Sequence, residues 1–416
     1  MVKTKKQFSE LKDGCYHSFN MKRFWILFLA TAAIFLILFV LASTIDFDIS
    51  WGLANSKFEH SWMYGSGDKI YYYSNNGWDN FIECFGDCTC FLLPACACWS
   101  LAFSFFKKIT NRQYKVYRQI AQVVIPLFLM VCAVWFVTDY NKNEDGLATL
   151  LSITGATISQ PLLILSCIGI SLVVNLAFAM IVWKLSERVQ MSLIKLAFVF
   201  IITFIIGHLL VWAFKRPIGL TRERFRALVT DPRCWILSES SMSSLSYDLV
   251  KGSFHNWWNV TPESYKAGWN TSTDPLFTAF IDSRVGGSLN NAFDSFPSGH
   301  CADISYILLF CYLPCCVKQA NDRKWKPYLI WLVLLAVIFV VVFTRISAGA
   351  HYLSDCMWGT MLSIVPIVVC STIFCKIDKV RTWFDTCDIN AQWYKFTILQ
   401  VILPVAGILA FMLPPW

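Results

Sequence analysis

Charged residues are scarce in this chain. They make up 15% of its 416 residues, whereas about a quarter of a soluble globular domain is charged. Hydrophobic residues make up 56% and fall in runs near 20 residues long, which is the length of a helix that crosses a hydrocarbon core roughly 30 Å thick. This balance excludes a soluble protein and predicts a polytopic membrane protein. We predict an all-α fold, because a spanning helix satisfies its own backbone polar groups within lipid.

The signatures of metal binding and of nucleic-acid binding are also missing. The 17 cysteines include no CxxC pair with a later pair at metal-ligand spacing, and most lie in apolar runs, where cysteine packs as a small hydrophobe. The cluster of Cys84, Cys88 and Cys90 leaves a metal or redox site open, although helix packing is the simpler interpretation. The net charge of +8 accompanies no nucleic-acid-binding module, so we expect no nucleic-acid partner.

The apolar runs predict about nine transmembrane helices. They lie at 24–43, 82–106, 119–138, 161–183, 193–214, 301–317, 328–344, 357–375 and 396–413. With a cytoplasmic N-terminus, 22 of the 35 Lys and Arg fall in predicted inner segments, and nine of the remainder fall in 215–284. Apart from that one segment the predicted outer loops are nearly free of Lys and Arg, as the positive-inside rule requires.

Three distant polar segments fall at the same predicted membrane face. The span ending at 214 leads out, the span starting at 301 leads in, and the span ending at 344 leads out again. Lys215, His300 and His351 are therefore predicted to meet at the outer face. This convergence predicts a site there.

The residue types in these segments suit phosphoryl transfer. His351 and Asp355 are four residues apart, so they share a helical face if the helix continues there, and a carboxylate bonded to one imidazole nitrogen leaves the other nitrogen ready to attack. His300 can protonate a leaving oxygen. Backbone N–H groups and cations can hold the phosphate; the candidates are Ser298, Gly299, Lys215, Arg222 and Arg345.

These residues resemble the motifs of the type-2 phosphatidic acid phosphatase superfamily, membrane lipid phosphatases related to vanadium haloperoxidases. The family motifs read KxxxxxxRP, PSGH and SRxxxxxHxxxD. Residues 297–300 match the second motif, and Arg345, His351 and Asp355 match the third, with Thr344 in place of its serine. Lys215 and Arg222 match the first, with Glu223 in place of its proline. Arg216-Pro217 is a competing register, which would place Leu209 at the lysine position.

The resemblance implies a role for each matched residue. His351 would form a phosphohistidine, Asp355 would orient it, and His300 would protonate the leaving group. Lys215, Arg222, Ser298, Gly299 and Arg345 would hold the phosphate. Members of the family work without a metal, so no cofactor is expected.

The order of the predicted spans and loops, together with the six-helix core that the resemblance implies, gives a domain organisation. Residues 1–23 would be a cytoplasmic segment and 24–81 an anchor helix with an aromatic outer loop. Residues 82–376 would be the phosphatase domain, with an inserted helix pair at 119–183 and an outer loop at 216–297 that we expect to cap the site. Residues 377–416 would be a cytoplasmic loop with an appended helix.

The leading hypothesis is hydrolysis of a membrane lipid phosphate or diphosphate at the outer face. A polyprenyl diphosphate, phosphatidic acid, phosphatidylglycerol phosphate or a lipid A phosphate would all suit the chemistry. The sequence RISAGAHYLSD and the following Trp358-Gly359 resemble bacterial members, which favours a bacterial inner membrane with the site facing the periplasm.

Two alternatives stay open. The same phosphohistidine could be discharged by a lipid or sugar hydroxyl, which would make the protein a phosphotransferase. The second alternative is a transporter or scaffold with an inactive site, although the sequence shows no pair of broken helices that would indicate a midplane binding site. Its activity would survive the His351→Ala substitution.

Overall fold

The computed structural model describes six main stretches and some isolated positions. The stretches are 21–55, 62–71 without 66–67, 187–218, 295–311, 325–347 and 349–376, and the isolated positions lie within 112–127 and 165–185 and at 220, 394, 398 and 402. The four predicted spans at 82–106, 119–138, 161–183 and 396–413 fall largely outside these residues. The same is true of Arg222, of the cluster at Cys84, Cys88 and Cys90, and of nearly all of the predicted cap at 216–297.

Helices dominate the described residues. They are α1 (Met21–Asn55), α2 (Glu187–Ile218), α3 (Gly299–Ser305), α4 (Lys326–Ser347) and α5 (Leu353–Lys376), and a 3₁₀ helix, Tyr306–Cys311, follows α3 directly. Two short strands, β1 (Trp62–Gly65) and β2 (Asp68–Tyr71), form an antiparallel hairpin that pairs Trp62 with Tyr71. The hairpin lies in the part of the chain that we expected to be a loop, whereas the predicted all-α fold class is confirmed by the helices that make up most of the described residues.

Four of the helices are long and apolar enough to cross a membrane. Within the described residues these candidate spans are Phe24–Leu53, Leu196–Lys215, Tyr328–Ser347 and Leu353–Ile373, and each overlaps a predicted span. The predicted span at 301–317 is different, because the apolar helix Gly299–Cys311 is shorter and changes to 3₁₀ geometry at Tyr306. The described helices are therefore those of a membrane-associated protein.

Helix α1 runs well past its predicted end at residue 43. It continues to Asn55 across a kink at Ile45, where φ is −129° and ψ is 20°. The Ser43 and Thr44 hydroxyls donate to the carbonyls of Phe39 and Leu41, at 2.8 and 2.7 Å. Hydroxyls bonded to carbonyls of the preceding turn often bend helices, and these two residues come directly before the kink. The prediction ended the helix too early because two aspartates follow the apolar run.

Helix α5 lies at the centre of the described bundle and packs against α1, α2 and α3, while α4 packs against α1. Aromatic side chains connect these helices: Phe39 of α1 lies 5.0 Å from the Trp358 ring and Phe35 lies 5.4 Å from the Phe339 ring. A hydrogen bond of 2.7 Å from Trp331 Nε1 to Thr31 Oγ1 also joins α4 to α1. The packing holds the first residues of α5 against the ends of the other helices.

Candidate active site

Four segments meet around the start of α5. The Ser295 N–H donates to the Leu220 carbonyl, two residues beyond α2, at 3.0 Å. The Ser298 N–H donates to the Asp355 carbonyl at 3.0 Å, and the His351 N–H donates to the Arg345 carbonyl at 3.3 Å. The structure therefore brings the PSGH segment, the end of α4 and the start of α5 into direct backbone contact.

The turn between α4 and α5 places His351. Helix α4 ends in a Schellman motif, in which the Gly349 N–H bonds the Ile346 carbonyl at 2.9 Å and the Ala350 N–H bonds the Arg345 carbonyl at 3.1 Å. Gly349 has a φ of 62°, a conformation that glycine adopts at no steric cost. The chain reverses there, and His351 follows in the turn, two residues before α5 begins. The helix does not extend through His351, contrary to the condition in our prediction.

We expected a direct hydrogen bond between His351 and Asp355, but in the structure Ser295 connects the two side chains. His351 Nδ1 lies 3.8 Å from Asp355 Oδ2, beyond hydrogen-bond distance, but only 2.6 Å from the Ser295 carbonyl oxygen. The Ser295 hydroxyl donates to Asp355 Oδ2. A carbonyl oxygen can only accept, so this contact requires the hydrogen on Nδ1 and leaves the lone pair on Nε2. Sequence reasoning missed Ser295, which precedes the family motif by two residues.

Asp355 holds the first turn of its own helix. Its Oδ2 accepts the Tyr352 N–H at 2.9 Å, while the Tyr352 carbonyl accepts the first helical bond from Cys356 at 3.2 Å. This is half of a capping box, in which the third helical residue bonds the N-cap backbone. The side chain of Asp355 is fully buried. One carboxylate thus positions both the helix start and, through Ser295, the His351 ring.

His300 lies opposite His351 on the first turn of α3. The two ring centroids are 6.3 Å apart and the ring planes are inclined by 59°. Ser298 is the N-cap of α3, and its hydroxyl accepts the Cys301 N–H at 3.4 Å. Because the Ser298 N–H bonds the Asp355 carbonyl, our expectation that this N–H faces a phosphate is corrected. Ser298 instead fixes His300 relative to α5.

Two of the three predicted cations lie within the described residues. Arg345, in the last turn of α4, is fully buried, and Lys215 is 9% exposed near the end of α2. Lys215 is four residues beyond Val211 and so shares its helix face. Val211 Cγ1 is 4.0 Å from the place that a Cβ on Gly299 would occupy. The Lys215 face of α2 therefore packs on the PSGH segment.

Gly359 lets α5 approach the PSGH segment closely. A Cβ at residue 359 would lie 3.2 Å from the Ser298 carbonyl carbon and nearer still to its oxygen. Hydroxyls on the same side of α5 reinforce the contact, since Ser363 Oγ donates to the Ala302 carbonyl at 2.6 Å. The small residue is needed at this position because backbone atoms cannot move away as a flexible side chain can.

We expect Gly359→Ala to lower stability by about 1–3 kcal/mol, the cost of overpacking a tight contact. The substitution should also displace Ser298 and slow any reaction at the site. Gly52→Ala is the matched control: nothing lies within 4 Å of its added methyl group, and alanine is favoured over glycine in a helix by about 1 kcal/mol. Thermal unfolding of both variants in detergent tests this, and equal midpoints for the two would contradict it.

A second polar pair, on α1, also reaches the start of α5. Asp46 Oδ1 accepts the Ser354 N–H at 2.9 Å, and Ser50 Oγ accepts the Leu353 N–H at 3.3 Å. Both side chains are buried. Sequence reasoning missed them, although a carboxylate and a hydroxyl four residues apart at the end of an apolar helix were a usable signal.

Comparison with known proteins identifies the region that carries the site. Residues 192–378 match the family model of the PAP2 superfamily. These residues belong to the PAP2 superfamily. The match confirms the resemblance to the type-2 phosphatidic acid phosphatases, and it begins at residue 192, whereas the predicted domain begins at 82. Neither a curated protein nor a solved structure matches the chain.

The PAP2 match includes every predicted site residue and both histidines of the pair. It leaves out Asp46 and Ser50, which the tertiary structure alone brings to α5. Members of this superfamily are phosphatases, so the match supports phosphatase activity in general, and the four apolar helices support association with a membrane.

Proposed function

We propose that this protein is an integral membrane phosphatase that hydrolyses a lipid phosphate or diphosphate through a phosphohistidine on His351. The observation that carries the proposal is the histidine pair, with ring centroids 6.3 Å apart and His351 Nδ1 bonded to the Ser295 carbonyl at 2.6 Å. A phosphoryl group in transfer lies between its attacking and leaving atoms. The separation of the rings suits that placement.

In the first step, the lone pair of His351 Nε2 attacks phosphorus. The bond from phosphorus to the lipid oxygen breaks, and that oxygen takes a proton from His300 as it leaves. The hydrogen on Nδ1 stays bonded to the Ser295 carbonyl, so the ring keeps one orientation during the reaction. The lipid alcohol, or a shorter phosphate ester when the substrate is a diphosphate, is the first product.

In the second step, water attacks the phosphohistidine. His300, now without its proton, accepts one from the water, and the bond from Nε2 to phosphorus breaks. Inorganic phosphate leaves, and both histidines return to their starting forms. The substrate, one water molecule and the two histidines account for every bond and proton in the two steps.

Cations are proposed to hold the phosphoryl oxygens in both steps. Arg345 is fully buried, and a fixed guanidinium in a poorly solvated site stabilises developing charge more strongly than one in water. Lys215 would add to it from near the end of α2, and the motifs give the same role to Arg222 and to the backbone N–H of Gly299. These assignments follow from the family motifs.

The substrate is proposed to be a membrane lipid, since the site is built at the ends of apolar helices. The proposed partners are therefore the lipid substrate and the bilayer that contains it. The distribution of Lys and Arg between predicted loops favours the outer face, and the resemblance to bacterial members favours a bacterial inner membrane.

Release of phosphate from a panel of lipids tests the proposal. Purified protein in detergent, with a chelator present, would be incubated with phosphatidic acid, phosphatidylglycerol phosphate, a polyprenyl diphosphate and a lipid A phosphate. We expect release from at least one lipid, dependent on His351 and insensitive to the chelator. Transfer of the phosphate to a lipid or sugar alcohol without release would favour the phosphotransferase, and no turnover of any kind would favour an inactive relative.

A further inference from the structure

Asp46 sits beside the site although it is outside the family region. Asp46 is 4% exposed and lies on a helix that is apolar enough to span a membrane, and buried ionisable groups in such helices are functional candidates. The kink at Ile45 comes directly before it. The helical segment after the kink carries Asp46 and Ser50 on one face, turned toward α5.

The two side chains complete the capping of α5. The first N–H groups of a helix have no partner within the helix. In α5 the N-cap N–H of Tyr352 bonds Asp355, while the next two, on Leu353 and Ser354, bond Ser50 and Asp46. Asp355 and α1 therefore fix consecutive backbone groups of the same turn.

The Ser354 side chain connects the two carboxylates. Its hydroxyl donates to Asp46 Oδ2 and lies 3.5 Å from Asp355 Oδ1. The Asp46 carboxylate thus accepts hydrogen bonds from both the backbone N–H and the hydroxyl of Ser354. Ser354 in turn lies next to Asp355. A change at Asp46 would be transmitted through Ser354 to the carboxylate that places Ser295 and the His351 ring.

We propose that Asp46 is a positioning residue for the phosphatase reaction, which acts through Ser354 to hold Asp355 and the start of α5 in place for His351. The inference rests on the proposed function. Its chemical basis is that a displacement of about 1 Å in a catalytic group can cost ~10²-fold in rate. The N-terminal helix would then be part of the catalytic unit as well as a membrane anchor.

Asp46→Asn is the decisive variant, because it keeps the shape and one acceptor for the Ser354 N–H. Its amide N–H₂ group faces the Ser354 hydroxyl, so that hydroxyl must turn its hydrogen away. We expect kcat to fall about 10- to 100-fold with KM changed less than about threefold. Asp48→Asn is the matched control, because it makes the same substitution at an exposed side chain of the same helix and should leave kcat within about twofold.

A double-mutant cycle with Ser354→Ala separates positioning from stability. If Asp46 acts through Ser354, then Asp46→Asn should lower kcat little further in the Ser354→Ala background. Thermal unfolding in detergent would show both variants folded, with midpoints close to that of Asp48→Asn. These rates would be measured on the best lipid of the panel.

Three results would overturn the inference: equal kcat for the variants at positions 46 and 48, additive losses in the cycle, or losses that follow the unfolding midpoints. Its failure is separable from that of the proposed function. If phosphate release depends on His351 but is unchanged by Asp46→Asn, only the positioning role is overturned. Wild-type protein that turns over no lipid phosphate overturns both.

Discussion

His351→Ala is expected to release phosphate at least ~10⁴-fold more slowly than the wild type. The substitution removes Nε2, the atom proposed to attack phosphorus, together with the ring whose Nδ1 is bonded to the Ser295 carbonyl in the wild type. Initial rates on the best lipid and on an aryl phosphate would both show the loss. An easily displaced phenol does not remove the need for a nucleophile.

The matched control for this variant is His208→Ala. His208 stacks on Phe204 with ring centroids 5.8 Å apart and has no proposed role, so its variant should stay within roughly tenfold of the wild-type rate. Release from His351→Ala at the wild-type rate would place the nucleophile elsewhere. It would also remove the reason for the Ser295 contact to matter in catalysis.

His300→Ala is expected to slow release from a lipid phosphate by about 10²- to 10⁴-fold, the range for loss of a general acid. The loss should be much smaller for the first step on an aryl phosphate, because a phenolate leaves without being protonated. A burst of phenol measured by rapid mixing reports that step. An equal loss of the burst rate on both substrates would instead give His300 a role in binding phosphate.

The same variant offers a way to trap the intermediate. With the aryl phosphate, His300→Ala should form the phosphohistidine and hydrolyse it slowly, because the base for the water is gone. The protein should then carry a phosphoryl group that is lost in acid and kept in base. The double variant His300→Ala/His351→Ala is the control and should carry none; labelling of the double variant would assign the phosphoryl group to another residue.

Much of the described fold was predictable because lipid imposes simple rules. Apolar runs of about 20 residues that cross lipid must be helices, and four such runs are candidate spans among the residues that the structure describes. The helix ends were less predictable. The predicted first span ended at residue 43, yet α1 continues to Asn55, and its last turns carry Asp46 and Ser50, which accept N–H groups of α5.

The candidate site likewise has parts that the sequence predicted and parts that it did not. The PSGH segment and the RISAGAHYLSD turn were found from spacing, since short motifs fix local backbone geometry, as Gly349 does with its φ of 62°. The partner of His351 Nδ1 was not predictable. That partner, Ser295, lies two residues before the PSGH motif, and its contact with His351 depends on how this segment packs, with the Ser295 N–H bonded to the Leu220 carbonyl.

By itself the sequence determined that the chain carries apolar runs long enough to span a membrane and, within residues 192–378, the motifs of the PAP2 superfamily. It placed Lys215, His300 and the segment from Arg345 to Asp355 far apart along the chain. Only the tertiary structure decided how these groups connect. Ser295 contacts both His351 and Asp355, Gly359 packs against Ser298, and Asp46 accepts hydrogen bonds from Ser354. The physical reason is the separation along the chain of the residues that interact. Periodicity and motif spacing report local geometry, whereas hydrogen bonds between residues 300 positions apart exist only once the helices have packed.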